Sequence, residues 1–387
     1  MDFTLKTEQL AAEEKAKKFA ALEILPCVEH LEHDLELRKD VFQKMAREGL
    51  FLMGVPKDLG GGQTDYLSYL LALKAISAAD AGIGVAMAIT TMMTEIIVRY
   101  GTTLQKEEYL SRIASGERIP YSFALTEKEA GSDAKSMQTR AVLDSQNKNL
   151  YVLNGAKQFI TNADLAGLIL VMAKTDADRG SRGVTAFLVD QGTEGMHIVK
   201  KERKLGLLSA NLVDFRLENC KIPKNKILGE LGQGFEIAMQ ALDTGRIGIA
   251  AQALGIAEAA YEAALKYSRD RYQFGRALAE NQAIAFKLAD MYVKMQAGHA
   301  LLYQACWRKE QGLDVNLQAS SAKLFCTESA IEIVNDALQI FGGYGYIKDY
   351  PLERYYRDVR ATTLYEGTSE IQRLIISRAI LKEGITC

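Results

Sequence analysis

Leu364-Tyr365-Glu366-Gly367-Thr368-Ser369-Glu370-Ile371-Gln372-Arg373 sets a carboxylate, a glycine and a helix start within a few residues of one another. Ser369 and Gln372 have the S-x-x-Q spacing of a capping box, in which each side chain satisfies an orphan backbone N–H near the other. Ile371, Leu374, Ile375 and Leu381 follow as an apolar stripe at roughly helical spacing. Glu366 is therefore expected in a loop just outside a helix N-terminus. Gly367 imposes no side chain, so a ligand can approach the backbone there, and the helix N-terminus beside it favours an anion. By local physics alone the stretch reads first as a well-capped terminal helix.

Moving outward, the chain before this stretch is helical for a long way. Gly234 to Asp270, Glu280 to Gln311 and Leu317 to Phe341 are long periodic segments, and with Glu370 to Lys382 they predict a C-terminal four-helix bundle. Upstream of Pro223 the period changes. Tyr121 to Leu125, Gln138 to Leu143, Tyr151 to Leu153, Leu168 to Ala173, Val184 to Val189 and Val213 to Leu217 are strand-length runs, with Asn154-Gly155, Arg179-Gly180 and Asp190-Gln191-Gly192 as turns between them. About seven strands without intervening helices predict a central antiparallel β-barrel or sandwich domain rather than βαβ units. The first ~118 residues are helical again, with segments from Thr7 to about Leu50, Tyr66 to Ala79, Gly82 to Tyr100 and Gln105 to Ser115. The expected fold class is α+β multidomain, with an α-helical unit at 1–119, a β domain at 120–226 and an α-bundle at 227–387.

The totals exclude several function classes. A chain of 387 residues exceeds the size of one growing core. Lys and Arg number 47 against 49 acidic residues, a net charge of −2, which gives no electrostatic support for nucleic-acid or membrane-surface binding. Cys27, Cys220, Cys306, Cys326 and Cys387 are scattered without a C-x-x-C pair, so neither a disulfide framework nor a zinc site is expected, and a reducing compartment fits. His30, His33, His197 and His299 lack ligand spacing, and no metal is expected. Met1-Asp2-Phe3-Thr4-Leu5 shows no leader pattern. The apolar window from Gly82 to Val98 is interrupted by Thr90, Thr91, Thr94 and Glu95 and reads as core, not as a membrane span. No G-x-S-x-G elbow, Walker-type loop or strand-linked G-x-G-x-x-G is present.

Four further segments carry chemistry. Phe123-Ala124-Leu125-Thr126 followed by Gly131-Ser132-Asp133 offers hydroxyls and free N–H groups to a polar ligand edge, although such residues commonly bond their own backbone. Gly155 to Asn162 contains Phe159-Ile160-Thr161. Ala241-Leu242-Asp243-Thr244-Gly245-Arg246 lies on the first bundle helix. A glycine inside a helix costs about 1 kcal/mol relative to alanine, so Gly245 implies close approach of backbone or ligand. Arg271-Tyr272-Gln273-Phe274-Gly275 presents an arginine, whose planar fork suits pyrophosphate.

In this order, and closed by Tyr365-Glu366-Gly367-Thr368-Ser369-Glu370-Ile371-Gln372, the segments resemble those of acyl-CoA dehydrogenases, flavoenzymes that desaturate acyl thioesters. The resemblance covers essentially the whole chain and is nearest the short-chain butyryl-CoA members. It implies FAD as cofactor, contacted by Phe123, Leu125, Thr126, Gly131, Ser132, Phe159, Ile160, Thr161, Arg271, Gln273, Phe274, Gln282, Gln339, Ile340, Gly342, Gly343, Thr368, Ser369 and Glu370. It implies acyl-CoA binding by Ser132, Asp243, Arg246 and Gly367, and catalysis by Glu366 as the base that removes the α-proton while the β-hydride passes to flavin. Some relatives carry the base on the first bundle helix in an L-x-x-E-R pattern, and Gly245 before Arg246 leaves that place without one. Two positions depart from the family pattern: Phe159 stands where tryptophan is commonest, and Lys128 where proline is common. Gly342 and Gly343 read equally as a plain helix C-cap.

The implied partners are the acyl-CoA substrate, an electron-transfer flavoprotein and further copies of the chain in a homotetramer, and the implied location is a bacterial cytoplasm or a mitochondrial matrix. An acyl-CoA oxidase using dioxygen and a non-catalytic CoA-thioester binding protein on the same fold are the competing expectations.

Overall fold

The computed structural model describes residues 4–383. Met1-Asp2-Phe3, read for a leader, and Cys387 lie outside the described residues, as do the outermost ends of the first and last expected units.

The chain opens with five helices: α1 (Thr7–Phe19), α2 (Leu35–Arg47), α3 (Tyr66–Ala79), α4 (Ala81–Tyr100) and α5 (Thr103–Ser115). Their ends follow from short polar side chains. Asp65 accepts from the Ser68 N–H and Asp80 from the Ile83 N–H, each at 2.8 Å, starting α3 and α4. Gly116 in the left-handed conformation stops α5. α4 is longer than its apolar window in the sequence. It has the length and composition to cross a bilayer, but most of its side chains are buried inside the protein.

Eight strands follow in one sheet, β1 (Tyr121–Ala124), β2 (Arg140–Leu143), β3 (Leu150–Thr161), β4 (Leu168–Lys174), β5 (Val184–Asp190), β6 (Met196–Lys201), β7 (Leu212–Pro223) and β8 (Ile227–Leu228), in the order β6-β7-β3-β2-β4-β5-β8. Pairing is mainly antiparallel, while β1 runs parallel to β4. β4 shows why the sheet sits where it does. Leu168, Leu170 and Met172 join the helical core, whereas Ile169, Val171 and Ala173 join a second core within the β region. The period-2 alternation thus fastens the sheet to the helices on one face and closes it on the other.

Two expectations for this region are corrected. Asn154-Gly155 is not a turn but a bulge inside the twelve-residue β3. The glycine is required because a Cβ there would lie 2.7 Å from Thr139 Cα on the neighbouring segment. β6 was not anticipated. Among the described residues it pairs only with β7 and is exposed along nearly its whole length, so it lacks the buried face that alternation reports.

The C-terminal part contains α6 (Gly234–Asp270), α7 (Gln282–Glu310), α8 (Asn316–Phe341), the short α9 (Leu352–Val359) and α10 (Ser369–Glu383). A two-stranded hairpin of β9 (Tyr272–Gln273) and β10 (Arg276–Ala277) joins α6 to α7. α6 is the hub. It packs against α8 and α7 on one side and α3 and α4 on the other, and is buried on most faces from Arg246 to Ala257.

Candidate active site

The loop between α9 and α10 turns sharply at two residues with positive φ, Glu366 (54°) and Gly367 (88°). For a residue with a Cβ this conformation costs roughly 1–2 kcal/mol, so neighbouring contacts must hold it. The helix start that follows differs from the expected capping box. Thr368 is the cap: its Oγ1 accepts from the Ile371 N–H at 3.4 Å and its carbonyl from the Gln372 N–H at 3.0 Å. Ser369 is one position too late to cap, and its buried hydroxyl has no hydrogen-bond partner. Gln372 turns back instead, donating from Nε2 to the carbonyls of Glu366 (3.1 Å) and Gly367 (2.9 Å). A Cβ at Gly367 would lie 2.7 Å from that nitrogen, so the glycine serves the turn as well as leaving the backbone open.

The Glu366 side chain lies over α6. A Cβ added at Gly245 would fall 2.6 Å from Glu366 Oε2 and 2.9 Å from its Cδ, which explains a glycine inside this long helix. Together with Tyr69, Ala88, Ile89, Met92, Thr244, Gly248 and Ile249, they line a narrow cavity between α3, α4 and α6. Oε2 is buried without a hydrogen-bond partner. Burial among apolar walls pushes the carboxyl up to about 7, against the smaller opposing pull of Arg246 and Lys323. Arg246 Nη1 is 2.6 Å from Asp243 Oδ1, which also accepts from Asn316 Nδ2 at 2.8 Å. Arg246 Nε is buried and unpartnered, so the guanidinium retains donor capacity.

A second cavity, which shares no lining residue with the first, is an open groove at the end of α8. Arg271, Gln273, Ile340, Gly342 and Gly343 all line it, beside Tyr267, Phe341 and Tyr344. Arg271 has no carboxylate partner among the described residues, and its guanidinium stands over the Tyr344 ring with 5.7 Å to the centroid. A Cβ at Gly342 or Gly343 would meet nothing within 4 Å, so the backbone there is accessible.

The third group is built on β1 and β3. The Gln158 N–H donates to the Thr126 carbonyl (3.0 Å) and Ser122 Oγ to the Thr161 carbonyl (2.6 Å), bringing Phe123–Thr126 against Phe159–Thr161. Phe159 has a positive φ of 58° and half its surface exposed, presenting an open aromatic ring beside Thr126. Behind it the buried Lys157 Nζ bridges the Leu125 carbonyl (3.2 Å) and Glu127 Oε1 (2.8 Å). Gly131 and Ser132 are exposed at the tip of the following turn. Gln282, Gln339, Phe274 and Glu370 are exposed and line neither cavity.

Three family models match in order along the chain: acyl-CoA dehydrogenase N-terminal domain at residues 6–117, middle domain at 122–220 and C-terminal domain at 232–381. A short-chain specific acyl-CoA dehydrogenase of Clostridium acetobutylicum is 40% identical over 99% of this chain and 100% of its own. A 3-(aryl)acrylate reductase of Clostridium sporogenes is 45% identical over 95% and 97%. Among solved structures, a chain in one describing the electron transferring flavoprotein of Acidaminococcus fermentans and flavin-based electron bifurcation superimposes with a TM-score of 0.94, at 41% identity over 99% of this chain and 100% of that one. Relatives matched over nearly their whole length at 40–44% identity make the chain an oxidoreductase acting on CH–CH bonds. The chain belongs to the acyl-CoA dehydrogenase family.

FAD is the cofactor of this family, and the residues present fit it. The unpaired Arg271 and bare Gly342-Gly343 backbone suit an anionic, polar portion, and the exposed Phe159 ring beside Thr126 suits a flat heterocycle. Sequence reasoning missed Tyr69, Met92 and Gly248 in the first cavity, Met92 falling inside the apolar window from Gly82 to Val98 that reads as core. Gly248, one turn after Gly245, was the available signal, since two glycines on one face of a buried helix leave a groove. Lys323 and Gln372 left no local signal for the contacts they make.

Proposed function

We propose that the protein catalyses α,β-dehydrogenation of a short-chain acyl-CoA thioester to the trans-2-enoyl-CoA, with Glu366 as the base that takes the α-proton. The observation that carries this reading is the Glu366 carboxyl in a narrow apolar cavity over Gly245, raised to about 7 by burial and with Oε2 unpartnered. An ordinary carboxylate near 4.3 is a weak base for a C–H, and one poised near 7 is far better matched to proton transfer at neutral pH. The walls exclude water and keep the charge undiluted, and the narrowness of the cavity supports a short acyl group. Asp243 and Arg246, which flank the lining residues Thr244 and Gly245 on α6, are assigned to the polar part of the thioester, with Ser132 and Gly367.

FAD, when bound, supplies the acceptor for the β-hydride. Leu125, Thr126, Phe159, Ile160 and Thr161 would hold its ring, and Arg271, Gln273, Ile340, Gly342 and Gly343 its phosphate-bearing end. The same reading includes a homotetramer, which the resemblance to the family implies, in which one copy's groove serves another copy's cofactor. Electrons then leave to an electron-transfer flavoprotein, in keeping with the matched Acidaminococcus structure. The same reading divides the chain at 1–119, 120–226 and 227–387, limits that contain the three matched ranges. The free thiols of Cys27, Cys220, Cys306 and Cys326 suit a reducing location such as bacterial cytoplasm or mitochondrial matrix.

A second reading concerns direction. A carboxyl near 7 is about half protonated at neutral pH, so it can return a proton to an enoyl thioester as readily as it removes one. The reductase among the relatives favours weighing it. The experiment is an anaerobic visible spectrum of the holoenzyme titrated with acyl-CoAs of increasing length, repeated in reverse with the dithionite-reduced enzyme and enoyl-CoAs. Bleaching by butyryl-CoA or a similar short thioester, lost in Glu366→Gln, is expected. A flavin band bleached by no acyl-CoA and restored by no enoyl-CoA would overturn the reading, and rapid peroxide formation in air would turn it to an oxidase.

A further inference from the structure

Three lysines among the described residues are buried: Lys74, Lys157 and Lys323. Lys74 is paired with Glu258 (3.0 Å) and Glu13 (3.3 Å), and Lys157 with Glu127 (2.8 Å). Lys323, with no exposed surface, has no carboxylate within ion-pair distance among the described residues. Its Nζ donates to one atom, the carbonyl oxygen of Gly367, at 2.8 Å. An ammonium buried beneath a single neutral acceptor is an unfavourable arrangement that packing alone does not require. It lies under the peptide that follows the base.

We propose that Lys323 is a positioning residue for Glu366: from α8 its ammonium anchors the Gly367 carbonyl and, with the Gln372 amide, locks the left-handed Glu366–Gly367 turn so that the carboxyl stays over Gly245. The inference rests on Glu366 being the base. The geometry explains three otherwise separate facts. Glu366 and Gly367 both have positive φ, which needs external support. The two carbonyls of that turn are taken by just two side chains, Gln372 binding both and Lys323 binding the second. The carboxyl itself is left without a hydrogen bond at Oε2, so the turn and not a partner sets its direction.

Lys323 also has an electrostatic part. The groups around the Glu366 carboxyl are Arg246 on α6, already engaged by Asp243, the Tyr69 hydroxyl on α3, the neighbouring Tyr365 and Lys323 on α8. α4 offers the cavity only Ala88, Ile89 and Met92. Glu328 and Glu370 act on Lys323 from farther out. Lys323 therefore favours the ionised form of the base while fixing its backbone, and removing the ammonium raises the pH at which Glu366 becomes competent.

The test uses FAD-loaded protein and the rate of anaerobic flavin reduction by saturating butyryl-CoA between pH 5.5 and 9. Lys323→Met is expected to keep its flavin and its KM, to reduce it about tenfold to a hundredfold more slowly at pH 7, and to move the acidic limb upward by about one unit. Lys323→Gln, which retains a donor without the charge, is expected to recover part of the rate but not the limb. A loaded Lys323→Met with the parental rate and limb, or with a uniform loss and an unmoved limb, overturns the proposal. If that variant does not load FAD, Gln372→Leu decides: a slower reduction with KM retained supports the clamp, and a parental rate overturns it. Glu366→Gln is run alongside. Full activity there would remove the base assignment itself, whereas an inactive Glu366→Gln beside a normal Lys323→Met would remove only the clamp.

Discussion

Lys157 and Lys323 stand behind two different loops in similar ways, and they part company in what they touch. Both are buried, both are brought down to about 8 by desolvation, and both hold a backbone carbonyl in a loop carrying site residues. Lys157 also meets Glu127, whose carboxylate accepts from the Gln138 and Thr139 N–H groups at 2.5 and 3.1 Å. That network is closed: each charge has a partner, and its field is spent locally. Lys323 has no such partner, so its charge acts outward on Glu366. Compensated charge under the β1 turn makes a rigid platform, while uncompensated charge under the α10 turn makes a reactive one.

Four measurements break or sharpen that contrast, beginning with the largest effect. Glu366→Gln removes the group toward which the unpaired lysine is directed, and flavin reduction by acyl-CoA should slow by roughly 10²–10⁴-fold with FAD retained, as read by stopped-flow absorbance. Retained activity would make the α10 turn as purely structural as the β1 turn. Lys157→Met should cost about 3–5 kcal/mol, because it leaves the Glu127 carboxylate buried and unpaired, whereas Lys323→Met should cost no more than about 1–2 kcal/mol. Equal losses in urea denaturation would erase the distinction between the two lysines.

Gly245→Ala probes the reactive side from below. The new methyl meets the movable end of Glu366, not backbone, so it should displace the carboxyl with up to about a hundredfold loss of rate. The helix itself should gain as much as about 1 kcal/mol from the substitution, leaving a variant that is slower and no less stable. A slower variant that is also clearly less stable would show that the site beneath Glu366 is ordinary core.

The smallest effect is a pH dependence of stability. The unfolded chain releases the Glu366 proton near 4.3, while the folded chain keeps it to about 7. Stability from that retained proton is complete below about pH 4 and is lost as pH rises through 7. Glu366→Gln has no such slope, so its stability relative to the parent should rise by about 2–3 kcal/mol between pH 5 and 8.5. Parallel curves of melting temperature against pH would mean that the carboxyl is not held near neutrality.

Much of this molecule was legible because its signals are local. The starts of α3 and α4 are written in Asp65 and Asp80, the end of α5 in Gly116, and the two-sided burial of β4 in an unbroken apolar run. Gly245 announced a close approach from its helix-breaking character alone, and the structure supplies the group that approaches. What failed was non-local. Asn154-Gly155 carries turn chemistry, yet the sheet neighbour that demands a glycine comes from Thr139. Gln372 sits at capping distance from Ser369, but its amide is drawn back to the Glu366 turn. Lys323 resembles any other lysine on an amphipathic helix until α10 folds over it. The groove at Arg271 and the cavity at Glu366 share no lining residue, and no spacing rule in the sequence reports how the two are arranged.

The contact between Gly245 and Glu366 also constrains how such a chain can change over generations. The space between this turn of α6 and the Glu366 carboxyl holds no second side chain, so the residues at 245 and 366 are coupled. A glutamate appearing at 245 while Glu366 remains would crowd two carboxyl groups into one apolar space. A glycine at 366 appearing first would leave no carboxylate at all. A change at either position alone is therefore costly, and a lineage that has settled on one arrangement is held there by contact and charge together.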